Sequence, residues 1–239
     1  MDNGLCPESE QEKEAWITLL EEMLISRNPL QGQVLHPSAV YGPCKGNIFL
    51  KNIINEHNIQ IGNYTYAHLD SMEDNVLKNL VPYSFGNKNL RIGKFCSIGF
   101  GTQFISPYAN HQLHSFTTYP FWHVFSKKTN IKPWLENAEL KGDTIVGNDV
   151  WFGREAMVMP GVHIGDGAVI SARAVITQNV PPYAIIGGNP GKVIRFRFSD
   201  EMINELLKIQ WWNWDLDKII RCHPILMGGD IEQLRAVAT

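Results

Sequence analysis

The 239-residue sequence predicts a mainly β protein in which very short strands wind into stacked coils. The first observation behind this fold class is a strict six-residue repeat of apolar side chains, at Val146, Phe152, Val158, Ile164, Ile170 and Ile176. The second is a coupled series of small or aliphatic residues four positions later, at Val150, Ala156, Val162, Ala168, Ala174 and Val180. A period of six fits neither an α-helix nor a long alternating strand. It favours short extended segments with corners between them, three to a coil, over a sandwich, whose strands recur about every 8–12 residues.

The same period predicts how successive coils stack. Inward side chains ~18 residues apart are expected to lie on one another, with coils separated by the ~4.8 Å spacing of paired strands. The frame also occurs upstream, between residues 92 and 104. Glycines follow the inward position at Gly147, Gly153 and Gly165, where their backbone freedom is expected to supply the corner dihedral angles.

Several longer motifs carry a more specific signal. The chain reads GDTIVGNDVWFG from residue 142 and continues through VMPGVHIGDGAVI to VPPYAIIGGNPGKVI, which ends at residue 194. KFCSIG stands at 94–99 and TTYPF at 117–121. These motifs resemble the hexapeptide-repeat family, and within it the xenobiotic acetyltransferase branch of type B chloramphenicol, streptogramin A and related sugar O-acetyltransferases. The resemblance covers residues 59–215 and implies a left-handed parallel β-helix, assembled as a homotrimer with sites between subunits.

The chain is expected to form one structural domain with three parts. Residues 1–58 are predicted to be a helical extension and lead-in, with an amphipathic helix from Glu8 to Ser26. The expected role of this helix is packing on the coils or on a neighbouring subunit. The β-helix itself is expected over residues 59–197, and residues 198–239 are expected to form a helical cap.

A loop over residues 106–143 interrupts the repeat and is rich in histidines and aromatic residues. Loops of this length in compact domains are usually functional, and the resemblance implies that this one embraces the next subunit. In the cap, Ser199 is a predicted helix N-cap, and a second, shorter helix is predicted to end before Pro224. The cap helices and the tryptophans at 211–214 are expected to pack over the open end of the coils.

Transfer of an acetyl group from a thioester to a hydroxyl needs a base, and histidine is the usual one because its ordinary pKa lies near neutrality. The resemblance selects His111, because Ala109-Asn110-His111 precedes TTYPF as the catalytic histidine does in the family. His114 is the second candidate. Two roles are open for Asn110, which are contact with the acceptor and support of the loop.

The resemblance also implies substrate contacts. Tyr64 and Tyr66 match the family tyrosines that line the acceptor pocket. Residues 112–116 differ from those of the drug-acetylating members, so an antibiotic and a sugar both stay open as acceptors. For the co-substrate, acetyl-CoA, the implied contacts are Trp151, Arg154, Ala172 and Thr177 along the pantetheine arm and Lys192 and Arg195 at the phosphate end.

Composition excludes several other classes of protein. The net charge is −3, from 21 basic and 24 acidic residues, which argues against a nucleic-acid-binding protein. No run of residues is long and apolar enough to predict a membrane span. The N-terminus has no signal-peptide pattern and the four cysteines have no C-x-x-C spacing, so a cytoplasmic location is expected. Cys96 falls at a small-residue position of the repeat and is predicted to be a core thiol rather than a nucleophile.

Two alternatives compete with an acetyltransferase. One is a non-catalytic β-helical scaffold, against which the Ala109–His111 step and the basic residues 192–197 argue. The other is a γ-type carbonic anhydrase, which needs three zinc-binding histidines. Only His163 lies in the repeat, where it is expected to face solvent, and no metal is expected.

Overall fold

A computed structural model describes residues 47–68, 76–82, 89–107, 111, 113–121, 125 and 141–238 of the chain. The helix predicted from Glu8 to Ser26 lies outside these residues. The strands are β1 (Asn47–Phe49), β2 (Ile59–Ile61), β3 (Tyr66–His68), β4 (Leu90–Ile92), β5 (Ser97–Ile98), β6 (Gln103–Phe104), β7 (Thr144–Val146), β8 (Trp151–Phe152), β9 (Met157–Val158), β10 (His163–Ile164), β11 (Val169–Ile170), β12 (Val175–Ile176), β13 (Ala184–Gly187) and β14 (Lys192–Phe196). The α-helices are α1 (Val76–Leu80), α2 (Asp200–Ile209), α3 (Leu216–Gly228) and α4 (Ile231–Ala238), and short 3-10 helices lie at Leu50–Asn52 and Trp211–Asn213.

The strands form three sheets, which the chain visits in rotation. The seven-stranded sheet has the order β1-β3-β5-β8-β11-β13-β14, the four-stranded sheet β10-β7-β4-β2 and the three-stranded sheet β12-β9-β6. Pairing is parallel except at the two edges of the seven-stranded sheet, where β1 and β14 run antiparallel to their neighbours. From β4 to β12, each strand belongs to the next sheet in the rotation, which confirms the prediction of three segments to a coil.

Strand register confirms the 18-residue stacking. Val146 pairs with Ile164, Phe152 with Ile170 and Val158 with Ile176. All members of the inward series are at most 3% exposed, and all members of the second series are at most 5% exposed. These two series therefore build one apolar column through the coils, and that burial is the main favourable term for the fold.

The long loop does not interrupt this column. Strand β7, which follows the loop, pairs directly with β4, which precedes it, so that Ile92 lies against Val146. In the same way β6 pairs with β9 and places Phe104 against Val158. The chain therefore leaves the coil after β6 and returns to the next coil position, and the loop is an insertion between two stacked coils.

Residues in the left-handed backbone conformation make the corner between the four-stranded and seven-stranded sheets. We call it the first corner. Its residues have φ between 55° and 67° and are Tyr64, Phe95, Asp149, Gly167 and Tyr183. Backbone hydrogen bonds between coils hold the last four of them, such as the 2.9 Å bond that the Asp149 N–H donates to the Lys94 carbonyl. Four of the five are not glycine, so these bonds outweigh the local preference of the residues.

The glycines after the inward positions therefore have a different role from the predicted one. Gly147, Gly153 and Gly165 do not have the positive φ of the corner residues. A Cβ atom at any of them would lie 2.4–2.7 Å from a backbone nitrogen of the next coil. Glycine is needed there because neighbouring coils approach too closely for a side chain.

The C-terminal helices agree with the prediction at their start and differ from it later. Ser199 caps α2, with its hydroxyl accepting a hydrogen bond from the Met202 N–H. Helix α3 is longer than α2 and passes through Pro224, so the predicted end before Pro224 is wrong. Proline cannot donate to the carbonyl of Ile220 four residues earlier. The His223 Nδ1–H instead lies 2.7 Å from that carbonyl and satisfies it.

The open end of the coils is covered by the chain between the repeat and the helices. Val180 bridges to Ile164 of the four-stranded sheet, β14 pairs with β13, and Gly191 donates a 2.8 Å bond to the Val175 carbonyl. The C-terminal helices lie against the first corner, and Trp212 is 2% exposed, which confirms that this tryptophan has a packing role. That the helices also cover the open end stays a prediction. None of the helices in the described part of the chain has the length and hydropathy of a membrane span.

Candidate active site

The donor-side residues of the sequence analysis lie around the corner between the seven-stranded and three-stranded sheets. We call it the second corner. Arg154 is there, and Ala172 occupies the same position one coil later and is exposed. The two coils are joined by the 2.9 Å bond from the Arg173 N–H to the Arg154 carbonyl. Trp151 lies just before this corner on β8 and is 58% exposed.

Charged side chains at the second corner are linked to one another. The Arg154 guanidinium lies 4.6 Å from the centre of the Phe100 ring, and its Nε lies 3.4 Å from Glu155 Oε1. Arg173 Nε donates a 2.7 Å hydrogen bond to Glu155 Oε2, and this bond lowers the pKa of the Glu155 carboxyl. Two arginines sharing one carboxylate leave this exposed corner with a net positive charge.

The remaining donor-side residues lie at the end of the coils. Thr177 directly follows β12 and is exposed. The bond from the Gly191 N–H to the Val175 carbonyl lays the start of β14 across that strand. Lys192 and Arg195 are both exposed on β14, and Arg195 is three strands from Trp151, or about 14 Å at ordinary strand spacing. The structure therefore gathers the six predicted donor contacts around one corner and the coil end beside it.

One of the two acceptor-side tyrosines lies on the same sheet as Trp151. Register places Tyr66, Ser97 and Trp151 in one row across β3, β5 and β8. The row spans about 10 Å at ordinary strand spacing. Tyr66 is half-buried and Trp151 exposed. The sheet therefore presents an acceptor candidate and a donor candidate in one row, two strands apart.

Tyr64 has a different environment. It lies at the first corner, and its ring stacks on Phe95 with the centres 4.8 Å apart. Phe95 in turn contacts Trp211 at 4.9 Å, and Phe49 meets the other side of Tyr64 edge-on at 6.4 Å. Burial in this row raises the pKa of the Tyr64 hydroxyl. Tyr64 thus has a packing role, which the family motif alone did not distinguish from that of Tyr66.

A cleft of about 220 Å³ lies between α1 and the coils, and His68 contributes to its wall. The Nδ1 atom of His68 is 2.9 Å from Asn47 Oδ1, across the β1–β3 pair. Phe100 lines the same cleft, and its ring is the one on which the Arg154 guanidinium packs. Sequence reasoning did not single out His68. The available signal was its position two residues after Tyr66, which places it at the end of the same strand.

His111 lies in the long loop and is exposed. Its Nδ1 atom is 2.7 Å from the Thr118 carbonyl oxygen. Because a carbonyl oxygen only accepts, Nδ1 carries the hydrogen, and the lone pair of the neutral ring is on Nε2. The Thr117 hydroxyl accepts a 3.1 Å hydrogen bond from the Tyr119 N–H, which stabilises a turn on both sides of Thr118. The Thr118 carbonyl thus orients His111, and no side-chain pattern in the sequence could have indicated a backbone group.

The loop around His111 exposes several large apolar side chains. Leu113 is 80% exposed, Tyr119 56% and Phe121 47%, and the Phe116 side chain is fully exposed. Tyr119 and Phe121 contact each other with ring centres 4.7 Å apart. Such a patch usually marks a binding surface. His114 is exposed in the same segment, whereas Asn110 lies outside the described residues.

His111 and the donor-side residues lie on different parts of the chain, the long loop and the coils. The Nδ1 atom of His111 meets Thr118 of its own loop, and Arg173 bonds to Glu155 and to Arg154 of the coils. His163 is exposed, as expected. The described part of the chain contains no group of three His, Cys, Asp or Glu residues placed to hold a metal.

Cys96 is a core thiol, as predicted. It is fully buried, and its Sγ lies 3.2 Å from the Gly147 carbonyl oxygen, to which it can donate. Burial raises the pKa of the Cys96 thiol to about 12. Since the thiolate is the reactive form, this cysteine is inert near neutral pH.

Comparison with known proteins identifies similar chains. The family model described as bacterial transferase hexapeptide (six repeats) matches residues 143–178. A chloramphenicol acetyltransferase of Klebsiella aerogenes is 42% identical over 79% of this chain and 91% of its own. A virginiamycin A acetyltransferase of Staphylococcus aureus is 48% identical over 81% of this chain and 89% of its own. A probable macrolide acetyltransferase of Lysinibacillus sphaericus is 48% identical over 64% of this chain and 85% of its own.

Proposed function

Because the chain belongs to the hexapeptide-repeat acetyltransferases, in the branch that includes chloramphenicol and virginiamycin A acetyltransferases, we propose that it transfers the acetyl group of acetyl-CoA to a hydroxyl of a small acceptor. The three sheets and their 18-residue stacking support a left-handed parallel β-helix as the scaffold. The three relatives named above are acetyltransferases, which favours an enzyme over a non-catalytic scaffold.

His111 is the proposed general base, and one observation carries this assignment. The Nδ1–H is held by the Thr118 carbonyl at 2.7 Å, which leaves the Nε2 lone pair at an exposed position to accept a proton. In the reaction Nε2 removes the hydroxyl proton of the acceptor as its oxygen attacks the thioester carbonyl. The carbon–sulfur bond then breaks, and the imidazolium returns the proton to the departing thiolate of CoA.

The second corner and the coil end are the proposed acetyl-CoA site. The exposed Trp151 and Ala172 offer a surface for the pantetheine arm beside the Arg154 guanidinium. Thr177 extends that surface to the end of the coils. Lys192 and Arg195 stand exposed there, as cations that bind phosphate would.

The proposed acceptor is a hydroxylated antibiotic. The exposed aromatic and aliphatic side chains around His111 suit a mainly apolar molecule, and Tyr66 adds a half-buried ring on the seven-stranded sheet. The three relatives are named for different antibiotics, although each is 42–48% identical to this chain. Sequence identity alone therefore does not select one antibiotic as the acceptor. A sugar is the competing acceptor.

Assembly as a homotrimer completes the proposed site. The loop that carries His111 exposes apolar residues that an adjoining subunit would cover. The loop of one subunit then reaches the donor side of the next. Asn110 is proposed to support the loop or contact the acceptor there.

The test is acetyl transfer by the His111→Ala variant, followed as release of the CoA thiol. We expect the rate to fall at least ~100-fold, which is the usual contribution of a general base. The acceptors are chloramphenicol, a streptogramin A, a macrolide and a nucleotide sugar.

His114→Ala is the matched control, because His114 is an exposed histidine of the same loop segment. It should retain near-normal turnover and the same assembly by sedimentation. Near-normal turnover of His111→Ala would remove His111 from its role. Acetylation of the nucleotide sugar alone would replace the antibiotic by a sugar acceptor.

A further inference from the structure

The cleft between α1 and the coils adjoins residues of both sides of the proposed site. Phe100 lines it at the second corner, and the Arg154 guanidinium lies 4.6 Å from the centre of that ring. His68 lines it from β3, the strand that also carries Tyr66. Its volume of about 220 Å³ is smaller than that of a site for a whole drug-sized molecule. The cleft is therefore suited to one part of an acceptor.

A strip of bare backbone leads from this cleft towards the donor side. The row of Tyr66 across β3, β5 and β8 ends at Trp151. Two residues further along these strands, the same register brings His68 beside Gly99 and then Gly153. A Cβ atom at Gly99 would lie 2.8 Å from a carbonyl oxygen of the next coil, and one at Gly153 2.4 Å from a backbone nitrogen. The close approach of the coils thus keeps this row free of side chains, over about 10 Å at ordinary strand spacing.

The imidazole of His68 is held by one nitrogen and offers the other. Its Nδ1 atom is 2.9 Å from Oδ1 of Asn47, and Asn47 is only 9% exposed on β1. Because an amide oxygen only accepts, Nδ1 carries the hydrogen, and the lone pair of the neutral ring is on Nε2. His68 itself is exposed. Asn47 therefore fixes the ring and its tautomer and leaves Nε2 as a hydrogen-bond acceptor.

The other described residues of the cleft wall carry no charge. Asn79 of α1 and Gln103 of β6 contribute amides, and Val76 and Leu80 of α1 contribute apolar side chains. A mainly apolar wall with a few polar groups is typical of a site that binds a neutral organic molecule. The wall therefore favours an uncharged acceptor.

We propose that this cleft is an acceptor subsite in which His68 is a specificity-determining residue. Its Nε2 atom accepts a hydrogen bond from an O–H or N–H group of the acceptor other than the hydroxyl that is acetylated. The inference rests on the acetyl transfer proposed above and narrows the acceptor to an uncharged molecule with a second hydrogen-bond donor. An analogue that lacks this donor leaves Nε2 without a partner in the complex, so it binds less well.

The test measures acceptor binding to the full chain by equilibrium dialysis without acetyl-CoA. The ligands are chloramphenicol, a streptogramin A, a macrolide and a nucleotide sugar. We expect the wild-type protein to bind at least one antibiotic and His68→Phe to raise its Kd about 3- to 10-fold, the usual effect of one hydrogen bond. His68→Gln should restore most of the affinity, because its amide reaches the place of the imidazole Nε2. In thiol-release assays, His68→Phe should raise the KM of the acceptor and leave kcat and the KM of acetyl-CoA unchanged.

His163→Phe is the matched control, because His163 is an exposed histidine on β10 and does not line the cleft. It should bind the antibiotic as the wild-type protein does. Circular dichroism establishes that each variant is folded, and Val76→Trp, which narrows the cleft from α1, should also weaken binding.

Three results would overturn the inference. They are an unchanged Kd in folded His68→Phe or Val76→Trp, a loss of affinity that His68→Gln does not restore, and failure of the wild-type protein to bind any of the three antibiotics. Binding that follows the expected pattern without release of the CoA thiol would instead contradict the proposed acetyl transfer and leave the subsite in place.

Discussion

Asp149 shows how the environment of one residue couples stability to pH. It adopts φ 55° at the first corner, and its carboxylate lies 3.7 Å from Arg197. Burial raises the pKa of the Asp149 carboxyl to about 6, although the nearby Arg197 charge acts in the opposite direction. The ion pair therefore offsets only part of the cost of removing the carboxylate from water.

The raised pKa predicts the sign of a pH effect. An Asp with a folded pKa near 6 and an unfolded pKa of about 4 keeps its proton longer in the folded state. Its favourable contribution is complete below pH 4 and is lost as the pH rises to 6. About a third of the side chain is exposed, so we expect a loss of only about 1 kcal/mol. Urea denaturation between pH 4.5 and 7 should show this loss in the wild-type protein but not in Asp149→Asn.

Asp217→Asn is the control for removing one negative charge, because Asp217 is exposed in the first turn of α3. Its pH dependence should follow that of the wild-type protein. Parallel curves for the wild-type protein and Asp149→Asn would show that the folded-state pKa of Asp149 is not raised.

At the scale of the strand and turn, two corner glycines differ in how much space surrounds them. Gly167 and Gly101 both have positive φ, 67° and 72°. A Cβ atom at Gly167 would lie 2.4 Å from Cε1 of the buried Tyr183 ring, whereas at Gly101 the nearest atom is Glu155 Cγ at 3.1 Å. The Glu155 side chain is flexible enough to move, and the Tyr183 ring is not.

Gly101→Ala should therefore cost about 1 kcal/mol, from backbone conformation alone. Gly167→Ala should cost about 3 kcal/mol, because overpacking against Tyr183 adds to the same backbone cost. The difference in free energy of unfolding, measured by urea denaturation, checks the prediction. Equal losses in the free energy of unfolding for the two variants would mean that the Tyr183 ring moves aside to accommodate the added methyl group.

The six-residue repeat made the coil itself predictable, because inward residues such as Phe152 and Ile170 must be buried wherever the chain turns. The resemblance implied Arg154 and Ala172 as donor contacts, and the structure places them at equivalent positions of neighbouring coils. The corners were not predictable from residue type. Tyr64 and Phe95 adopt a conformation that their side chains disfavour, and their ring contacts and the Phe95 N–H bond to the Asn63 carbonyl hold them there.

Individual hydrogen bonds of side chains were likewise not predictable. Pro224 predicted a helix end, but the His223 ring supplies the missing donor and the helix continues. The Thr118 carbonyl orients His111 through the backbone, which the sequence does not encode as a residue type. Tyr183 follows two prolines in a family motif, and nothing local shows that its hydroxyl is buried without a partner.

At the scale of the whole molecule, the proposed homotrimer places each active site between two chains. In this proposal the donor side lies around the second corner and the coil end of one chain, and His111 stands on the exposed apolar loop of its neighbour. A subunit that lacks His111 should therefore be complemented by a neighbour that retains His111. A subunit that lacks Lys192 and Arg195 should likewise be complemented by a neighbour that retains both cations. Co-assembly of His111→Ala chains with chains carrying Lys192→Glu and Arg195→Glu tests this directly.

Both parent variants should be nearly inactive at acetyl-CoA concentrations below KM, whereas their mixed assemblies should recover activity. In a randomly mixed ring, about a quarter of the interfaces combine an intact His111 with an intact Lys192 and Arg195. Purified variants mixed without dissociation are the control and should stay inactive. A site within one chain would leave every centre in the mixed assembly with one defect. Mixed assemblies no more active than their parents would therefore place His111 and the cations in the same subunit's site.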